Sequence, residues 1–243
     1  MASLAISAPI EENSILEKRF TFPTPKKTIS INAPIYVKAG QTFDGIKINK
    51  NPWVRYDRGK KVFRNCTEIK SGKSDAVFIL EKGATLKNVI LGANSLDHVY
   101  CIGDGCTIEN LTFEYGTKTM AKFYVKGSGV KNGGKTIIQH NSAGIAYITD
   151  FEVNSSDTLY SSCSNCRNGY QGKREVVMNY VTTYKVNTVV GINKNYGDRA
   201  ILKNVTAKGS EYVCQLFRGN HEGKEPVKLE RKCKSGNRSS CNC

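Results

Sequence analysis

The chain has 243 residues, 39% of them hydrophobic and 23% charged, a composition that fits one folded domain with a sizeable core and excludes general disorder. No run of ~18 apolar residues occurs, so no helical membrane span is expected. Thirty-six basic residues against 21 acidic ones leave a net charge of +15, which favours a polyanionic partner. Nucleic acid, an anionic membrane and an acidic polysaccharide all fit that charge.

Residues 1–19 lack the basic start and long apolar run of a full signal peptide. They read as the remnant of a signal followed by a propeptide, disordered or removed, with a cut after Lys18-Arg19 that starts the mature chain at Phe20. The main domain is expected over 20–233, followed by a basic, Cys-rich tail over 234–243.

Within the domain a short apolar segment recurs with Asn or Asp near its end. It reads Leu86-Lys-Asn88-Val89, Ile108-Glu-Asn110-Leu111, Ile148-Thr-Asp150-Phe151, Val177-Met-Asn179-Tyr180 and Leu202-Lys-Asn204-Val205. Asn110 and Asp150 are 40 residues apart, and that gap has room for one further turn near Lys122–Lys126. Each segment alternates apolar and polar residues, the pattern of a half-buried strand. Short strands at this spacing, with no helical period between them, predict stacked coils rather than a β-sandwich, the runner-up. Asn tolerates left-handed backbone and bonds its own turn, so the repeated Asn and Asp are assigned to architecture.

Nine cysteines are many for a reducing compartment. Cys163-Ser-Asn-Cys166 has zinc-ligand spacing but no second matching pair, so disulfides fit better than zinc. Sequons at Asn65, Asn110, Asn154, Asn204 and Asn237 add modest support for secretion. His98 and His221 read as surface residues, His140 as a hydrogen-bonded structural residue near a cleft, and Trp53 as a packed loop anchor.

Ser74–Gly92, Cys106-Thr-Ile-Glu-Asn110, Gln139-His-Asn141, Cys163–Cys166, Gly191–Asp198, and Cys214-Gln-Leu-Phe217 followed by Glu225-Pro226 stand in consistent order along the chain. Together they resemble the small pectate lyases of polysaccharide lyase family 3. The resemblance implies an all-β, right-handed parallel β-helix, a secreted, extracellular protein, and calcium-dependent cleavage of homogalacturonan by β-elimination. Calcium would bridge the uronate carboxylate and acidify the neighbouring carbon-bound proton. It implies Asp97 as a calcium ligand and Lys135 as the base.

The chain departs from the family at several positions. Of two acidic pairs only Glu114 remains; Lys118 and Thr119 stand at the second pair, and Thr117 at a family cysteine. Gly134 precedes Lys135 in place of an acidic residue, and Ser161 stands where an arginine is usual. These exchanges argue against calcium and point to Lys118 as a charge substitute. The expected partner is an acidic polysaccharide, pectate (homogalacturonan), with no nucleic acid and no membrane, and the protein is expected to be a monomer. The alternative is a secreted polyuronate-binding protein that keeps the fold without turnover.

Overall fold

The structure, a computed structural model, describes residues 20–50, 53–59, 72–95, 97–114, 122–167 and 171–232. In chain order the strands are β1 (Lys27–Ser30), β2 (Ile35–Val37), β3 (Thr42–Asp44), β4 (Val54–Asp57), β5 (Phe78–Leu80), β6 (Thr85–Leu91), β7 (Val99–Cys101) and β8 (Cys106–Phe113). They continue as β9 (Phe123–Val130), β10 (Thr136–His140), β11 (Gly144–Ser162), β12 (Arg174–Asn193), β13 (Arg199–Lys208), β14 (Tyr212–Arg218) and β15 (Val227–Lys232). The α-helix among the described residues, α1 (Gly45–Asn49), is one short turn capped by Asp44.

Every strand but β15 pairs in parallel with an equivalent on a neighbouring coil, which rules out a sandwich and builds three faces. The first runs from β3 through the leading halves of β6, β8, β9, β11, β12 and β13. The second joins β1 and β4 to the later parts of the same strands. The third contains β2, β5 and β7, and further along β10, the ends of β11 and β12, and β14. The chain is a right-handed parallel β-helix, with the stacked coils its repeats predict and the fold its family resemblance implies. At the far end β15 folds back antiparallel on β14 and covers its edge.

One left-handed residue makes each corner between the first and second faces. Asn88, Asn110, Gly127, Asp150, Tyr180 and Asn204 take it, all with φ between 50° and 58°. A Cβ penalises this conformation, least for Asn and Asp and not at all for Gly. Gly127 is the expected extra turn in the 40-residue gap. The fourth repeat is displaced by one residue: Tyr180, not Asn179, occupies the corner. The Asn179 amide oxygen instead accepts from Asn204 Nδ2 at 3.2 Å. Earlier in the stack Asn110 Nδ2 donates to Asn88 Oδ1 (2.7 Å), and Asn88 Nδ2 to Asp44 Oδ1 (2.8 Å).

Inward rows fill the helix continuously. On the first face Leu86, Ile108, Val125, Ile148, Met178 and Leu202 stack coil on coil, each at most 2% exposed. Burying each such side chain is worth about 1.5–3 kcal/mol. This core leaves the outward rows free to carry the chemistry. Cys101–Cys106 and Cys163–Cys166 are disulfides, so the second pair is not a zinc half-site, and Cys214 is disulfide-bonded as well.

Candidate active site

The outer edge of the second face collects charge. Register places Asp57, Gly92, Glu114 and Lys131 at equivalent positions on successive coils, as Gly92, Glu114 and Lys131 donate their amides to the carbonyls of Tyr56, Leu91 and Phe113. Side chains alternate along a strand, so Arg55, two residues before Asp57, shares the outward side. Its Nε and Nη2 both donate to Glu114 Oε1, at 3.1 and 2.5 Å. The route passes over Gly92, where a Cβ would sit 2.9 Å from Arg55 Cδ. Gly92 is therefore what lets the arginine cross two coils.

Lys131 and Lys135 follow on the loop between β9 and β10, and both are exposed. Gly134, beside Lys135, is fixed from the next coil: its carbonyl accepts from Ser156 Oγ (2.8 Å) and Asp157 N (3.3 Å). The expected base thus stands on a held loop, later in the chain than Lys131, which is the residue in register with Glu114. Arg55 and Lys131 escaped the sequence reading, since only coil register brings them beside Glu114.

Other expected site residues fall elsewhere. Asp97 is buried, with 2% exposure, between β6 and β7. Lys118, Thr117, Thr119 and Tyr115 lie outside the described residues. Ser161 is half-buried on the outward side of the third face, in register with Gln139 and Gly191. Its hydroxyl bonds the Ser162 carbonyl at 3.2 Å. His98 is fully buried, not a surface residue, with Nε2 2.9 Å from the Gly92 carbonyl oxygen. It braces the glycine under Arg55 from inside. His221 is exposed, and half-buried Trp53 accepts from Lys26 N through its carbonyl, as a loop anchor would.

Calcium takes six to eight oxygen ligands. Among the described residues no three His, Cys, Asp or Glu side chains converge to hold a metal. Asp97 is withdrawn from the surface, and the remaining family carboxylate, Glu114, is neutralised by Arg55. The described residues do not fit calcium.

Below the third face lies a buried polar line. His140 Nδ1 sits 2.8 Å from the Tyr160 hydroxyl. Burial first, and the Arg174 charge second, push the imidazole down to about 3; burial likewise raises the Tyr160 phenol. Arg174 is fully buried and donates to the carbonyls of Gly172 and Asn141 and to Gln171 Oε1. Its amide meets Asp198 Oδ1, while Asp198 Oδ2 accepts from Asn193 N and Nδ2. With Asn193 Nδ2 also donating to the Cys163 carbonyl at 3.2 Å, these contacts tie together the Gln139–Asn141, Cys163–Cys166 and Gly191–Asp198 segments, an architectural role.

The family model "Pectate lyase" matches residues 19–224. A probable pectate lyase E of Aspergillus clavatus is 39% identical over 228 residues, covering 88% of this chain and 82% of its own length. Pectate lyase H of Emericella nidulans is 39% identical, covering 87% and 80%. Among solved structures, the catalytic domain of pectate lyase PelI from Erwinia chrysanthemi shares the fold, with a TM-score of 0.66 at 23% identity, covering 88% of this chain and 93% of that one. A structure of PelI in complex with tetragalacturonic acid superposes with a TM-score of 0.59 at 22% identity, covering 86% and 65%. On the family match and these relatives, the chain belongs to the pectate lyase family.

Proposed function

We propose that the chain cleaves homogalacturonan by β-elimination outside the cell, with side-chain cations in place of a calcium cluster. The observation that carries this is the edge row itself: Arg55 holds Glu114, and Lys131 and Lys135 stand exposed beyond it. Arg55 and Lys131 would neutralise uronate carboxylates and stabilise negative charge developing beside them. Lys118 is the further charge substitute. Lys135, in its neutral form, would take the proton from the carbon next to the carboxylate. The electron pair forms a carbon–carbon double bond as the glycosidic oxygen departs and picks up a proton. The disulfides support an extracellular site of action, and among the described residues no helix is long and apolar enough to cross a membrane.

A second reading is a polyuronate-binding protein without turnover. It is favoured by Ser161, whose short hydroxyl is spent on a neighbouring carbonyl. Mass analysis of polygalacturonate incubated with the protein separates the two. Elimination yields fragments lighter by one water than hydrolysis fragments; the second reading yields none, with binding retained.

A further inference from the structure

We propose that hydrolysis after Lys18-Arg19 frees the α-amine of Phe20 to form an ion pair with Glu152, locking the new N-terminus onto the outside of the β-helix. Glu152 lies on the second face, on an outward row with Gly129 before it and Thr182 after it. It is a carboxylate with only 7% exposure. A buried carboxylate is strongly unfavourable unless paired. No Lys, Arg or His among the described residues forms an ion pair with it. The contact it does make is to the main chain: Phe20 N stands 3.1 Å from Glu152 Oε2.

The ring of Phe20 has its own seat beside that contact. A Cβ on Gly129 would lie 2.4 Å from Phe20 Cδ1 and 2.7 Å from Cε1. Gly129 is absent from the positive-φ glycines, so its backbone does not demand glycine; the ring above it does. Phe22 adds an edge-on contact to Phe20, with centroids 5.1 Å apart. Gly129 and Glu152 are opposite each other on adjacent coils, about 4.8 Å apart. One residue can therefore fill the first with its ring while its nitrogen meets the second.

As a peptide nitrogen, Phe20 N offers one neutral donor. When water is added across the Arg19–Phe20 bond, Arg19 leaves as a carboxylate and the same nitrogen becomes an ammonium with three donors. The positive charge then arises at the atom already facing Glu152. The hydrolysis needs an endoprotease that cuts after paired basic residues. The chain's second Lys-Arg pair, Lys173-Arg174, opens β12 with Arg174 fully buried, so the folded protein withholds it. Charged or titratable groups on the same outer side are Asp150 on β11, Lys126 and Lys131 at and just past β9, and Tyr180 and Tyr184 on β12.

The test uses the full chain, treated with such an endoprotease, beside an Arg19→Ala chain that resists it. N-terminal sequencing should read Phe-Thr-Phe-Pro. Melting temperature as a function of pH should then differ between the two. The cleaved protein gains stability at neutral pH and loses that gain as pH rises past the ordinary α-amino range of ~8. Through the α-amino range around pH ~8, Glu152→Gln should abolish the difference in the cleaved protein and leave the shape of the Arg19→Ala profile unmoved. Independently of any Glu152 variant, the Phe20 amine of the cleaved protein should react with an acylating reagent at pH 8 about fivefold more slowly than a free Phe-Thr-Phe-Pro peptide, as one unit of pKa elevation gives at that pH. A different N-terminus, identical pH profiles, or acylation at the peptide's rate would overturn the proposal.

Discussion

Arg55 reaches across Gly92 to place two guanidinium nitrogens on one oxygen of Glu114, 59 residues away in the chain. The side chains are 29% and 23% exposed, so the pair contributes less than about 1 kcal/mol to folding. Its consequence is for charge at the edge of the second face.

Breaking the pair from either side should give opposite effects on ligand. Arg55→Ala leaves Glu114 facing the polyuronate uncompensated and should weaken polygalacturonate binding about tenfold, or about 1.4 kcal/mol. Glu114→Gln frees the arginine and should strengthen it. Titration calorimetry at low salt reads both, and equal changes in the two variants would refute the assignment.

Lys135 and Lys131 should separate by kinetic parameter. Removing a general base lowers kcat about 100-fold or more, the expectation for Lys135→Ala. Removing a cation that holds substrate raises KM with kcat nearly kept, the expectation for Lys131→Ala. Lys118→Ala should also lower the rate measured with chelator present. Since lysine acts as a base only when neutral, the wild-type rate should climb with pH.

Tyr180 occupies a corner that Asn or Asp fills at four other coils. Its left-handed backbone costs about 1 kcal/mol relative to a residue suited to it. Tyr180→Asn should therefore raise Tm by about 2–4 °C, read by differential scanning calorimetry. Asn110→Ala should lower it, because it cuts the amide ladder to Asn88.

His140 predicts acid sensitivity. Its folded-state value is about 3 against ~6.5 unfolded. Between those values the unfolded chain binds a proton that the folded chain does not. Stability is thus fully present above pH ~6.5 and falls as pH drops towards 3, by up to about 4 kcal/mol. His140→Gln should flatten Tm against pH over this window.

Corners and strands were legible in the sequence because left-handed backbone selects Asn, Asp and Gly, and half-buried strands alternate. Tyr180 broke the rule, so the fourth repeat was displaced by one residue. Residues set by burial or by coil register were not legible. Asp97 lies close in sequence to Cys101, which says nothing of its burial, and the buried His98 gave no local sign of its bond to Gly92. Arg55 and Lys131 become neighbours of Glu114 only once the coils are stacked. Phe20, expected as a mature terminus, gained its meaning from Glu152.

The most direct test of cation-assisted elimination is the rate of unsaturated product formation from polygalacturonate at alkaline pH, followed by ultraviolet absorbance, first with calcium and then with chelator. Equal rates in the two conditions, lost in Lys135→Ala, are predicted. Product that forms only with calcium, or none in either condition, would contradict it.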